Sequence, residues 1–84
     1  MYINPENGLS IRRIENEIFI YDSNRSLIHT FNATGVFLWD QIEKGLTREE
    51  IVTNLTDTYA VDQSSAETDV DAFIATLRSA GLVR

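Results

Sequence analysis

Few side chains of this sequence could carry acid–base or nucleophilic chemistry. There is no cysteine, which excludes disulfides, thiolate metal sites and cysteine nucleophiles, and His29 is the only histidine. A hydroxyl nucleophile needs a neighbouring base, and a single histidine between apolar strand residues is more typical of a structural position. The sequence therefore offers no recognisable pair of nucleophile and base.

Carboxylates outnumber every other ionisable group, with 13 Asp and Glu against seven Lys and Arg. Two of them could act as general acid and base, but they are predicted to lie on exposed helix faces, several near helix N-termini, where negative charge is stabilising. The four glycines form no phosphate-binding pattern, and no metal-ligand cluster is visible. We therefore expect no catalytic residue, no metal and no cofactor. The carboxylates considered are Glu49, Glu50, Asp57, Glu67, Asp69 and Asp71.

Length and charge limit the kinds of partner. The 84 residues are enough for one small domain, which we place at 1–84. The formal net charge of −6 disfavours nucleic acid and anionic membranes as partners, and is compatible with a protein or peptide, especially a basic one. No apolar run is long enough to cross a bilayer, and the first residues lack the pattern of a signal peptide, so we expect a cytoplasmic protein.

The first third of the chain is predicted to form three strands, over residues 9–14, 17–22 and 26–31, joined by short turns. Turns this short make neighbouring strands antiparallel. In the third strand, Leu27, His29 and Phe31 point one way, and Ile28 and Thr30 the other. We expect Phe31 to face the core. If the third strand lies at the edge of the sheet, its unpaired backbone groups must be protected or used.

The remainder is predicted to form three helices. The first runs over about 33–44, after Asn32 as N-cap, with Phe31 stapled onto Val36, and Gly45 ends it. Its apolar residues cover most of its circumference, which indicates the most buried helix.

The second helix begins at Thr47, within the capping box Thr47-Arg48-Glu49-Glu50. The third begins near Asp62 or Ser64 and ends at Gly81, with Leu82 folded back onto Leu77. The predicted fold class is α+β: a three-stranded antiparallel sheet followed by a three-helix bundle, similar to a winged helix-turn-helix domain.

Many winged-helix domains bind DNA through their last helix, so a transcriptional regulator is the alternative function. Such a helix needs basic and amide side chains to meet phosphates and base edges. Here the last helix carries four acids against the single basic residue Arg78, which makes its charge unfavourable for DNA. The acids are Asp62, Glu67, Asp69 and Asp71.

Several short motifs follow one another in a fixed order between residues 9 and 82. Each alone indicates a cap or a core position, but the ordered set resembles the PqqD family, also called RiPP recognition elements. Departures from the family pattern are Phe31, where leucine is commoner, and residues 63–65, where a proline often opens the last helix. The motifs are Phe31-Asn32-Ala33-Thr34-Gly35, Leu38-Trp39, Gly45, Thr47-Arg48-Glu49-Glu50-Ile51, Tyr59-Ala60-Val61-Asp62, Asp69-Val70-Asp71-Ala72-Phe73-Ile74, Leu77 and Gly81-Leu82.

The resemblance implies a non-catalytic peptide chaperone. Such a domain binds the leader segment of a ribosomally synthesised precursor peptide and presents it to a separate modifying enzyme, such as a radical SAM protein, a protease or a cyclase, in RiPP or PQQ-type biosynthesis. The leader would add as a strand to the third strand, in a groove walled by the third helix. The resemblance does not identify the precursor or the pathway. It also leaves open whether the domain is a monomer or a strand-paired or swapped dimer. Carried over by position, the peptide-binding residues are Ser26, Leu27, Ile28, His29, Thr30, Phe31, Asp69, Val70, Phe73, Ile74, Thr76 and Leu77.

Overall fold

The computed structural model describes residues 3–83, so Met1, Tyr2 and Arg84 of the predicted domain lie outside the described residues. Three strands, β1 (Leu9–Ile14), β2 (Glu17–Asp22) and β3 (Leu27–Thr30), precede three helices. The helices are α1 (Ala33–Glu43), α2 (Arg48–Tyr59) and α3 (Gln63–Ser79). The predicted fold class is confirmed. The third strand is shorter than predicted, because residues 26 and 31 lie outside its ladder.

The sheet is an antiparallel meander in the order β1-β2-β3, which leaves β3 at one edge. The residues of β2 that face the helices are Ile18, Ile20 and Asp22, and all three are buried. Because paired residues of neighbouring strands project on the same side, the pairs Ile20↔His29 and Asp22↔Leu27 place Leu27 and His29 on this inner face. Ile28 and Thr30 therefore project on the opposite, outer face, as predicted.

The helix ends follow the capping signals of the sequence. Gly35 donates its N–H to Asn32 Oδ1 over 2.9 Å, and Thr47 and Glu50 form the predicted capping box. Asp62, the first of the two predicted candidates, caps α3. Beyond α3, the N–H of Leu82 donates to the carbonyl of Leu77 over 2.9 Å, which is the predicted Schellman arrangement.

The hydrophobic core lies where the inner face of the sheet meets the three helices. α1 supplies the central contribution, including Trp39, which is buried. Two ion pairs connect elements at the periphery. Arg13 of β1 donates to both carboxylate oxygens of Asp40 on α1. Arg48 of α2 donates to both carboxylate oxygens of Asp71 on α3. In each pair the guanidinium lowers the pKa of the carboxyl group.

The segment before β1 connects the two ends of the described chain. Ile3 forms a β-bridge with Val83, and the N–H of Glu6 donates to the carbonyl of Gly81 over 2.9 Å. Two residues later, the carbonyl of Gly8 accepts the N–H of Ser23 over 2.8 Å. Residues 3–8 therefore join the end of α3 to the turn that leads into β3.

Candidate functional site

The outer edge of β3 is open. Among the described residues β3 pairs only with β2, so one row of its backbone N–H and C=O groups has no partner strand. The side chains at this edge are unusually apolar for an exposed position, with Leu27 48% and Ile28 66% exposed. Edge strands of soluble proteins are usually protected by charges, proline or bulges, and β3 contains none of these. This edge is therefore suited to pairing with another strand.

α3 runs beside this edge and presents small side chains to it. They recur at helical spacing, so they share one side of the helix. Because small side chains reach only a short distance, they leave open space between α3 and β3. We call this space the β3–α3 groove. The small residues that line it are Ala72, Ala75, Thr76 and Ser79 of α3, with Ala80 directly after the helix.

The groove consists of two adjoining cavities. The first has a volume of about 380 Å³ and lies against the start of β3, between Leu27 and His29 on one side and Ala75 and Ser79 on the other. Its lining is mainly apolar. Thr76 lines both cavities, so it marks the boundary between them. A cavity with this lining can accommodate a large apolar side chain.

The second cavity, of about 500 Å³, lies where β3 passes into α1. Its apolar floor is aromatic: the Phe31 ring lies 5.7 Å from that of Trp39 and 5.3 Å from that of Phe73. Its rim carries polar groups, among them Asn32 and the exposed carboxylate of Asp69. The second cavity can therefore take a side chain that is partly apolar and ends in a cation or a hydroxyl group.

Asp22 stabilises the turn between β2 and β3, which lies at one end of the groove. Its carboxylate, at the end of β2, is fully buried and accepts the N–H groups of Asn24 and Arg25, over 2.9 and 3.1 Å. The guanidinium of Arg25 adds a hydrogen bond of 2.7 Å to the other carboxylate oxygen. This guanidinium, followed by the two backbone donors, lowers the pKa of Asp22. The arrangement positions both β3 and Arg25, which lines the first cavity.

The structure divides the peptide-binding residues predicted on α3 into two groups. Asp69, Phe73 and Thr76 line the groove. Val70 and Leu77 are fully buried in the hydrophobic core, and therefore present no side-chain surface to a peptide. Ile74 is also in the core, and its remaining exposed surface lines a different cavity, between α2 and α3.

The residues predicted on and around the third strand divide in a similar way. Leu27, His29, Thr30 and Phe31 line the groove, whereas Ile28 lines a cavity on the outer face of the sheet. Ser26 adopts a left-handed conformation with φ of 53° in the turn before β3 and lines neither groove cavity. The backbone of residues 27–30 forms the open edge irrespective of where each side chain points.

Sequence reasoning missed most of the small residues of the groove. Ala72, Ala75 and Ser79 were not among the predicted contacts, although their spacing of three and four residues is a visible signal. The predicted contacts on α3 were carried over by position from the family resemblance, and most of them are apolar. The signal that would have found the groove is the opposite one, a side of α3 where side chains are small enough to leave room.

The described residues 3–83 contain no cluster of three or more His, Asp or Glu side chains that could hold a metal ion. In the same range, no helix is both long and apolar enough to traverse a lipid bilayer. Asp69 and Asp71 are exposed on α3 along with Arg78, so this helix presents a mainly acidic surface that is unfavourable for DNA phosphates.

Comparison with solved structures identifies the fold. The chain is similar to "TbiB1 in complex with the TbiA(beta) leader peptide", with 25% identity and a TM-score of 0.78, covering 98% of this chain and 94% of that one. It is also similar to "Lasso peptide synthetase B1 complexed with the leader peptide", with 18% identity and a TM-score of 0.82, covering 98% and 96%. The second likeness, at its lower identity, concerns the fold alone.

Comparison of the sequence with curated proteins found no significant match. A family model does match, over residues 17–83, which include β2, β3 and all three helices. This match extends over most of the chain and contains both walls of the groove. The chain belongs to the PqqD family, described as coenzyme PQQ synthesis protein D.

Proposed function

We propose that this chain binds the leader segment of a ribosomally synthesised precursor peptide and presents it to a separate modifying enzyme. The leader lies as a fourth strand along the open edge of β3, with alternate side chains in the β3–α3 groove. The observation that carries the proposal is the combination of an unprotected apolar strand edge with two adjoining cavities along it. Family membership and the solved structures bound to leader peptides support it.

In this binding mode, the backbone hydrogen bonds between the leader and β3 have a different role from the cavities that receive the leader's side chains. Hydrogen bonds along β3 hold any extended peptide and fix its register, whereas the cavities select the side chains that face the helix. Successive side chains of a strand project on opposite sides, so the residues selected are two or four positions apart. We expect a large apolar residue in the first cavity, next to Leu27 and Ala75. In the second, we expect an apolar stem with a polar end near Asp69.

The expected affinity follows from these contacts. Burying two or three leader side chains contributes roughly 1.5–3 kcal/mol each, and ordering a flexible peptide costs several kcal/mol. The backbone hydrogen bonds along β3 add roughly 0.5–1.5 kcal/mol each, so we expect a net of about −8 kcal/mol or weaker, which is a dissociation constant of micromolar or above. An ion pair at exposed Asp69 would add less than about 1 kcal/mol, so it adjusts binding but does not drive it. Micromolar affinity permits release of the peptide after modification.

The role proposed for the chain is non-catalytic. Several of its ionisable side chains are engaged in caps and ion pairs, such as Glu50 at the start of α2 and Asp71 on Arg48. His29 shares the first cavity with the hydroxyl groups of Thr76 and Ser79, but within residues 3–83 neither hydroxyl is hydrogen-bonded to the imidazole, and Thr76 donates to the carbonyl of Ala72 instead. The covalent chemistry is then performed by a partner, which we expect to be a radical SAM enzyme, a protease or a cyclase. A monomer, or a dimer paired through the β3 edge, is compatible with this role.

The test is an NMR titration of the isotope-labelled chain with the leader of a short precursor peptide encoded beside it. We expect amide shifts concentrated at Leu27–Thr30 and on the groove side of α3, from Asp69 to Ser79. Shifts confined to α2, or to the outer face of the sheet, would contradict strand addition at β3. Absence of shifts at millimolar peptide would refute binding of this leader and make a DNA mobility shift at low salt the next assay.

A pair of threonines on α3 provides a matched variant and control. Thr76 and Thr68 are both exposed, and each donates its hydroxyl to the carbonyl four residues earlier, over 3.0 Å. Only Thr76 lines the groove. We expect Thr76→Trp to fill the space between the cavities and weaken leader binding at least tenfold, measured by calorimetry, and Thr68→Trp to leave it within twofold. Equal affinities of the two variants would place the peptide elsewhere.

A further inference from the structure

A second apolar surface lies on the side of the sheet that faces away from the helices. Tyr21 is 46% exposed and pairs across the strands with Ile28, which is 66% exposed. Around them is a shallow cavity of about 360 Å³ with mainly apolar walls. Large exposed apolar patches on small soluble domains mark interaction surfaces. We call this surface the outer face; the residues that line its cavity are Ser10, Arg12, Phe19, Tyr21 and Ile28.

Binding of a leader does not account for the outer face. When a peptide pairs with β3, its side chains on the helix side lie in the groove and its backbone covers the edge of the sheet. The exposed ring of Tyr21 and the half-buried ring of Phe19, on the central strand β2, stay uncovered. A second occupant is needed to remove them from water.

The size of the outer face argues against a stable dimer of this chain. A sheet face three strands wide and about six residues long covers roughly 300 Å² in projection. Stable dimers bury about 800 Å² on each partner, so even twice the projected area is insufficient. Such a surface fits a transient contact that a further link supports.

The charges of the outer face differ from those of the whole chain. Arg12 and Glu17 both lie on this face, by their pairing with Phe19 and Ile14, so its formal charge is balanced although the chain carries −6. Arg12 forms no ion pair within residues 3–83. A complementary partner therefore offers apolar side chains with a carboxylate opposite Arg12.

The position of the outer face indicates which partner this is. A leader bound to β3 becomes a fourth strand of the same sheet, and its outward side chains lie next to Ile28 and Thr30. The outer face and the exposed side of the leader then form one continuous surface. A protein that contacts this surface touches the domain and its cargo together.

We propose that the outer face is the docking surface for the enzyme that modifies the bound peptide. This inference rests on the proposed function. The domain holds the leader of the peptide, and the enzyme holds the segment that it modifies. The peptide therefore links the two proteins and raises their effective concentration, so a small contact area between them is sufficient. Because the coupling between two binding equilibria is reciprocal, the enzyme binds the peptide-loaded domain more tightly than the empty domain.

The experiment measures two affinities separately, with the full-length precursor and the modifying enzyme encoded beside the chain as probes. Calorimetry gives binding of the precursor to the domain, and biolayer interferometry gives binding of the enzyme to the precursor-loaded domain. We expect Tyr21→Ala and Arg12→Glu to weaken enzyme binding at least tenfold while precursor binding stays within twofold. The control is Tyr59→Ala, at an exposed tyrosine of α2 (42%) on another surface, which leaves both affinities unchanged.

Four results would overturn the inference. If Tyr21→Ala and Arg12→Glu leave enzyme binding at the wild-type level, the inference is refuted and the proposed function is spared. If the wild-type domain binds precursor but not enzyme, the inference is refuted together with presentation to that enzyme, and leader binding is spared. A concentration-dependent dimer in sedimentation equilibrium that Tyr21→Ala abolishes assigns the face to a second copy. Failure of the wild-type domain to bind precursor refutes the proposed function and this inference with it. An amide NMR spectrum of each variant shows that it is folded.

Discussion

Asp22 is the one buried side chain among residues 3–83 that carries a formal charge. Its buried carboxylate accepts three hydrogen bonds from Asn24 and Arg25. In Asp22→Asn, the new amide nitrogen faces the guanidinium of Arg25, so two donors meet without an acceptor. We expect the melting temperature at pH 7, followed by circular dichroism, to fall by roughly 5–10 °C.

The same residue makes a prediction about pH. Arg25 and the backbone donors lower the pKa of Asp22 in the folded state, whereas the unfolded value is about 3.9. A lowered pKa contributes stability that is complete above about pH 4 and is lost as the pH falls through the folded value. The difference in melting temperature between wild type and Asp22→Asn should therefore shrink below about pH 4. The control is Asp57→Asn, at a side chain without hydrogen bonds or ion pairs within residues 3–83, and a difference that persists at pH 2 would contradict the assignment.

Local signals predicted single residues better than long-range ones did. Asn32 and Thr47 could be identified as caps, and Asp62 as one of two candidates, because a cap acts on amides two or three positions away. The contacts of α3 could not be divided correctly, because helical spacing places Val70 and Phe73 on one apolar stripe without showing what lies beside it. In the structure the same stripe faces the core at Val70, whereas at Phe73 it packs against Phe31 and lines the groove.

At the scale of elements, two helices end in the same way but in different surroundings. Gly45 after α1 and Gly81 after α3 are left-handed, with φ of 79° and 77°. A Cβ at Gly45 meets nothing within 4 Å, whereas one at Gly81 would lie 2.6 Å from the carboxyl group of Glu6. We expect Gly45→Ala to cost about 1 kcal/mol of unfolding free energy through backbone conformation alone, and Gly81→Ala to cost more, in urea denaturation.

Glu6→Ala separates the two contributions at Gly81. The flexible end of the Glu6 side chain causes the steric contact, so its removal should reduce the cost of Gly81→Ala to that of Gly45→Ala. The backbone hydrogen bond from Glu6 to Gly81 does not depend on the side chain and is retained. A cost that stays high in the Glu6→Ala background would show that the backbone around Gly81, and not the side chain, resists substitution.

The elements themselves could be predicted nearly to their ends. β1 and β2 have the predicted bounds, and each helix begins after a predicted cap, because turn residues, caps and apolar periodicity agree with one another. The third strand is shorter than predicted because Ser26 belongs to the turn that Asp22 organises. That turn depends on a buried carboxylate, which alternation of apolar residues does not reveal.

At the scale of the whole molecule, the residue types at positions 3–8 do not reveal the structural role of this segment. The segment acts mainly through its backbone: Asn4 and Glu6 donate to the carbonyls of Leu82 and Gly81, and Gly8 accepts from Ser23. Backbone hydrogen bonds leave little pattern in residue types. The consequence is structural, since the segment joins the end of α3 to the turn before β3, and so connects both walls of the β3–α3 groove at one end.

Removal of residues 1–6 should therefore affect stability and peptide binding together. Loss of the bridge between Ile3 and Val83 and of the hydrogen bonds to Leu82 and Gly81 uncovers core surface, so we expect the melting temperature to fall by about 10 °C or more. With β3 and α3 no longer connected at this end, leader affinity in calorimetry should weaken several-fold even at temperatures where the variant is folded. Ile3→Ser, which keeps the backbone contacts, should lower the melting temperature and leave the affinity within twofold. A deletion variant that is destabilised but binds the leader as tightly as wild type would show that the groove keeps its width without the segment.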